Sequence, residues 1–132
     1  MPTAYIARRD ALAVRQAQAR LEASREWHVL GVAASLFAAR SELPRANPDA
    51  LLIELRLEDG AALSLVRELR GRRHERPKVM LLAADAADPL LFSTLTAGAD
   101  AYLLEADLPV AASALQRLLA GEAMMAAPVA VQ

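Results

Sequence analysis

One acid stands alone in an apolar run. Glu54 lies inside Leu51-Leu52-Ile53-Glu54-Leu55-Arg56-Leu57, and the run ends in Glu58-Asp59-Gly60. Other charged groups that could do chemistry sit at the ends of further short apolar runs: Arg8 and Arg9, followed by Asp10, and Glu105. The matching end of the fourth run is Ala83-Ala84, which has nothing to donate or accept. Other reactive patterns are missing. The chain has no cysteine, and His28 and His74 stand far apart without metal-ligand spacing around them. Ser35, Ser64, Ser93 and Ser113 lack a nucleophile-elbow context. There is no glycine-rich phosphate loop. No catalytic constellation emerges, so the sequence reads as a non-enzyme with no cofactor and no metal.

Composition sets the frame for those residues. The chain has 132 residues, 55% hydrophobic and 23% charged, which suits one domain with a real core. The formal net charge of −1 gives no global footprint for nucleic acid. No apolar run reaches the ~20 residues of a membrane span, and no signal pattern opens the chain. Cytoplasmic residence without membrane attachment is the expectation.

The elements that must position the charged residues alternate strictly. Strands are expected at 4–7, 27–32, 50–57, 78–83 and 101–104. Between them lie helices from Asp10 to about Ala23, with Leu12, Ala13, Ala17 and Leu21 near one face, and from Ser35 to Leu43, stopping before Pro44. Asp59-Gly60 turns into a helix ending near Arg70-Gly71, Asp88-Pro89 opens one that Gly98 stops, and Pro109 opens the last, ending at Gly121. This pattern predicts an α/β fold: a doubly wound, five-stranded parallel sheet with right-handed crossovers and its site at the carboxyl ends of the strands. Residues 1–121 form the expected domain, and 122–132 a tail or the start of a linker. The loop Arg70–Arg76 is basic, and a solvated surface run is its simplest reading.

Over about residues 4–121 the chain resembles the response-regulator receiver family, most of all the receivers that precede helix-turn-helix output domains. The stretches that carry the resemblance are Pro48 to Gly60, Pro77 to Ala84, and Ala97-Gly98-Ala99-Asp100-Ala101-Tyr102-Leu103-Leu104-Glu105. Leu119-Ala120-Gly121-Glu122 followed by Pro128-Val129-Ala130 looks like the end of such a receiver. The resemblance implies a flavodoxin-like sheet of order 2-1-3-4-5. It also implies phosphotransfer chemistry: an acidic pair and a phosphoacceptor aspartate around Mg²⁺, a hydroxyl, a lysine, and a switch aromatic. Here the acidic pair falls on Arg8 and Arg9, or on Arg9 and Asp10. The phosphoacceptor position is Glu54, the hydroxyl position Ala83 and the lysine position Glu105. Tyr102 alone matches, as the switch aromatic.

The replacements reverse the polarity of the site. Arginine repels Mg²⁺, and its planar fork bonds both oxygens of a carboxylate. Pairing of Arg8 or Arg9 with Glu54, Glu105 or both is therefore expected. Glu54 then reads as a structural anion, with constitutive mimicry of a phosphorylated aspartate as the competing reading. Tyr102 reads as packed core or as a retained switch. The implied function is a phosphorylation-independent pseudo-receiver, acting in transcription regulation through a protein partner or a homodimer, with an output domain in the full-length protein and no direct nucleic-acid binding of its own. By analogy with the family, Leu90, Leu91, Phe92, Leu95, Leu115 and Leu118 supply the contact face, with at least one of Leu90, Leu91 and Phe92 exposed. The alternatives are a stand-alone adaptor, a sensor of an anionic metabolite in the strand-end crevice, and phosphotransfer to another acid such as Asp59 or Asp85.

Overall fold

The computed structural model describes residues 1–71 and 76–121. Five parallel strands form the central sheet: β1 (Thr3–Ala7), β2 (His28–Ala33), β3 (Ala50–Glu54), β6 (Lys78–Ala83) and β7 (Ala101–Leu104), in the order β2-β1-β3-β6-β7. A short antiparallel hairpin, β4 (Arg56–Leu57) with β5 (Gly60–Ala61), follows β3. With the hairpin set aside, the order is the flavodoxin-like 2-1-3-4-5 expected from strict alternation.

Helices α1 (Ala11–Ala23), α2 (Leu36–Ala46), α3 (Ala62–Gly71), α4 (Pro89–Ala97) and α5 (Ala111–Leu119) cover both faces. The core accordingly splits in two. Tyr5, Leu51, Ile53, Val79, Leu81 and Tyr102 pack in one cluster, while Ile6, Leu52, Met80, Leu82, Leu103 and Leu115 pack in the other. Alternate residues of each strand go to opposite faces, which is why the central strands read as unbroken apolar runs. Trp27 precedes β2 rather than opening it, is buried, and donates its indole N–H to the Ala112 carbonyl at 3.0 Å.

Several boundaries differ from the sequence expectation. The strand expected at 50–57 ends at Glu54: the Leu55 N–H makes the last ladder bond, to the Leu82 carbonyl at 2.8 Å, and the Leu55 carbonyl turns instead to the Ala62 N–H at 3.0 Å. Helix α2 runs through Pro44 to Ala46. A proline this near the end forfeits only one helical bond, and Asn47, at φ 42°, closes the helix by returning its N–H to Leu43 at 2.9 Å. Leu12 is 64% exposed: the buried positions Ala13, Ala17 and Leu21 repeat every four residues, and Leu12 lies about 100° from that stripe. Pro109 does not open α5 but sits in a 3-10 helix, Glu105–Val110, and the α-helix starts at Ala111. The tail at 122–132, expected as a linker, and Arg72 to Glu75 of the basic loop, including His74, lie outside the described residues.

Candidate functional site

The carboxyl ends of β1, β3 and β7 bring Arg8, Arg9, Glu54 and Glu105 together. Parallel register sets the convergence, since Ala7 pairs with Ile53, and Glu54 pairs with Leu82. Arg8 is only 2% exposed, and its three guanidinium nitrogens are all used. Nε donates to Glu54 Oε1 at 2.7 Å, Nη2 to Glu105 Oε1 at 2.6 Å, and Nη1 to the Ala13 carbonyl at 3.2 Å. Arg9 approaches from the solvent side. Its backbone N–H donates to Glu54 Oε1 at 3.1 Å, and its Nη1 to Glu54 Oε2 at 2.8 Å and also to Glu105 Oε1. Both arginines thus bond both glutamates, and the four formal charges sum to zero. Hydrogen bonds to Glu105 and then to Glu54 push the Arg9 guanidinium above its ordinary range, so it stays charged.

Asp10 does not join this lattice closely. Its Oδ1 caps α1 by accepting the Ala13 N–H at 2.8 Å, and its other oxygen stands 3.7 Å from Arg9 Nε. Ala83 is buried at the end of β6 and offers only a methyl group. Tyr102 is 5% exposed and belongs to the same core cluster as Ala83 and Leu91. Burial raises its phenol above the ordinary value.

These residues do not fit Mg²⁺. The ion needs several oxygen ligands at once. Both glutamates are instead turned onto the guanidinium groups of Arg8 and Arg9. Among the described residues no group of three or more His, Cys, Asp or Glu converges in a metal-ligating arrangement. The two alternative acids are engaged elsewhere. Asp59 accepts the Leu36 and Phe37 N–H groups at 2.8 and 2.9 Å, which holds its pKa below the usual carboxylate value, and Asp85 accepts the Ala87 N–H at 2.9 Å.

Beside the lattice lies a crevice of about 290 Å³ lined by Arg9, Glu54, Arg56, Asp88 and Glu105 among others. Its second arginine was not legible as a site residue. Arg56 grips Asp88 with both arms of its fork, Nε to Oδ2 at 2.7 Å and Nη2 to Oδ1 at 2.8 Å. The proximity depends on the turn after Glu54, where the apolar pattern predicts strand. Asp88 in turn caps α4 through the Leu90 N–H at 3.0 Å, and these bonds, the one from Arg56 foremost, hold its carboxyl down at about 2.

The expected contact face needs correction. Leu91, Leu115 and Leu118 are buried at 4%, 0% and 6% exposure and face the core, so they are not free to meet a partner. Leu90 and Leu95 are half-buried. Phe92 is the exposed member, at 77%, as the 100° step between neighbours on a helix requires.

The strand order and the two-faced core are those of the receiver fold of response regulators. Similar solved structures include the receiver domain of RcsB from Salmonella enterica serovar Typhimurium with phosphomimetic beryllofluoride, at TM-score 0.82 and 18% identity over 98% of this chain and 96% of that one. The receiver domain of the putative response regulator NarL from Mycobacterium tuberculosis matches at TM-score 0.82 and 20% identity, covering 92% and 98% of the two chains. A LuxR-family two-component response regulator from Aurantimonas matches at TM-score 0.83 and 20% identity, covering 98% and 93%. In sequence, the DNA-binding transcriptional activator DevR/DosR of Mycobacterium tuberculosis is 31% identical over 85 residues, a stretch that is 64% of this chain and 39% of that protein. The match thus spans well under half of that relative. No family model matches the chain. Among the described residues no helix is long and apolar enough to cross a membrane.

Proposed function

We infer that the chain is a response-regulator receiver that works in signal transduction without phosphorylation, a pseudo-receiver that carries its signal by protein contact. The observation that carries this reading is the double pairing of Arg8 and Arg9 with Glu54 and Glu105. Those side chains fill the place where phosphotransfer would need a divalent cation, and Ala83 offers the phosphoryl group no hydroxyl. Glu54 acts as the anion that anchors two arginines. Its carboxylate is drawn toward the end of β1, so it does not imitate a phosphoryl group reaching toward Ala83 and α4.

Likeness to receivers of transcription regulators, and to part of the activator DevR/DosR, supports a place as the regulatory part of a transcription regulator whose output domain lies elsewhere in the full-length protein. Contact with that domain, a separate protein or a second copy runs through the exposed part of α4 around Phe92. The metabolite-sensing alternative is less well supported. Both arginines of the crevice already bond carboxylates, so an anionic ligand competes with Glu54, Glu105 or Asp88 for them.

Intact mass after incubation with Mg²⁺ and acetyl phosphate tests the reading. An unchanged mass is expected. A Mg²⁺-dependent gain of one phosphoryl group, mapped to any carboxylate of the chain, overturns it.

A further inference from the structure

The geometry points to the hairpin at 56–61 as a brace that couples the first turn of α2 to the first turn of α4. Three contacts carry this. Asp59, at the hairpin tip, accepts the first two N–H groups of α2, from Leu36 and Phe37, although it lies more than twenty residues away in sequence. Gly60, at φ 153°, backs onto the same turn so closely that a Cβ would stand 2.9 Å from Leu36 Cδ2. On the other side, Arg56 holds Asp88, the N-cap of α4, with a two-pronged ion pair.

The two helix ends therefore share one short support. Helix starts have N–H groups with no partner inside the helix, and both starts draw theirs from carboxylates placed or gripped by this hairpin. Leu57, buried beneath the hairpin, pins it to the core cluster that also contains Leu36 and Leu91. A displacement of the hairpin to accommodate one helix end must move the acceptor or the guanidinium that serves the other. Coupling of this kind is reciprocal. A partner that docks on α4 is then felt at α2, and the converse.

Native-state hydrogen exchange tests the brace. The reporters are the Leu36 and Phe37 amides for α2, Leu90 and Leu91 for α4, and Leu115 in α5 as the control. Asp59→Ala removes the α2 acceptors and is expected to speed exchange at Leu90 and Leu91 by at least about threefold, though Asp88 is untouched. Arg56→Ala, at an exposed side chain, is expected to speed exchange at Leu36 and Phe37 by a similar factor, with Arg56→Lys between it and the native protein because a lysine keeps the charge and loses the fork. In the unsubstituted protein, high salt should raise exchange at both helix starts together. Effects confined to the helix nearest each substitution would overturn the proposal, as would an equal rise at Leu115, which would mean general loosening.

Discussion

Arg8 Nε lies 2.7 Å from Glu54 Oε1, with the two side chains only 2% and 7% exposed. A charge pair this far from water is worth little as a net gain over an apolar pair, but breaking it leaves a buried charge uncompensated. Arg8→Met should therefore cost about 3 kcal/mol in chemical denaturation, because Glu54 keeps only the bonds from Arg9. Arg8→Met with Glu54→Gln should recover about 1–2 kcal/mol of that loss, the coupling typical of residues in direct contact.

Arg9 makes bonds to the same two carboxylates from a side chain 44% exposed. Solvent screening reduces their value, so Arg9→Ala should cost about 1 kcal/mol, clearly less than the loss at Arg8. Equal losses at the two positions would show that burial does not set the strength of the lattice.

Stability should fall at both pH extremes for identifiable reasons. Asp88, held at about 2 by Arg56, and Asp49 and Asp59, lowered by N–H donors from Thr3 and from Leu36 and Phe37, bind protons less readily folded than unfolded. Their contribution is present above the unfolded value near 3.8 and is lost as pH falls through the lower folded values. Tyr5 behaves oppositely. Burial, and then the 2.6 Å bond to Glu42, push its phenol above 10, so its contribution is present below that value and lost as pH rises beyond it. Urea midpoints across pH check both limbs, and Asp88→Asn and Tyr5→Phe should flatten the acid and alkaline limbs respectively.

Neighbours on α4 should separate fold from contact. Leu91→Ala removes a core side chain and should cost about 2–5 kcal/mol. Phe92→Ala removes a side chain that is 77% exposed and should leave stability within about 0.5 kcal/mol. If α4 is the contact face, analytical ultracentrifugation or partner binding should respond to Phe92→Ala alone.

Much of this architecture could be read from the chain. Asp10, Ser35 and Asp88-Pro89 announce their helix starts by local chemistry, and each side-chain oxygen accepts the N–H of its own first turn. The strand at Lys78–Ala83 carried its bounds in its apolar run. The convergence of Arg8 and Arg9 with Glu54 and Glu105 followed from strand-end placement together with reversed polarity. What escaped reading was long-range or rotational. The pairing of Arg56 with Asp88 depends on the turn at Leu55, which an apolar Leu55-Arg56-Leu57 disguises as strand. Leu115 and Leu118 were placed on a contact face by analogy, whereas the helix turns them to the core. Pro109 signals a helix start, but not that the first turn is a 3-10 helix.

The most direct test of the central claim is a Mg²⁺ titration followed by amide chemical shifts at Arg9, Glu54 and Glu105. No saturable change is expected at millimolar Mg²⁺, because the carboxylates of Glu54 and Glu105 are already held by guanidinium groups. A saturable shift centred on Glu54, abolished by chelator, would contradict it.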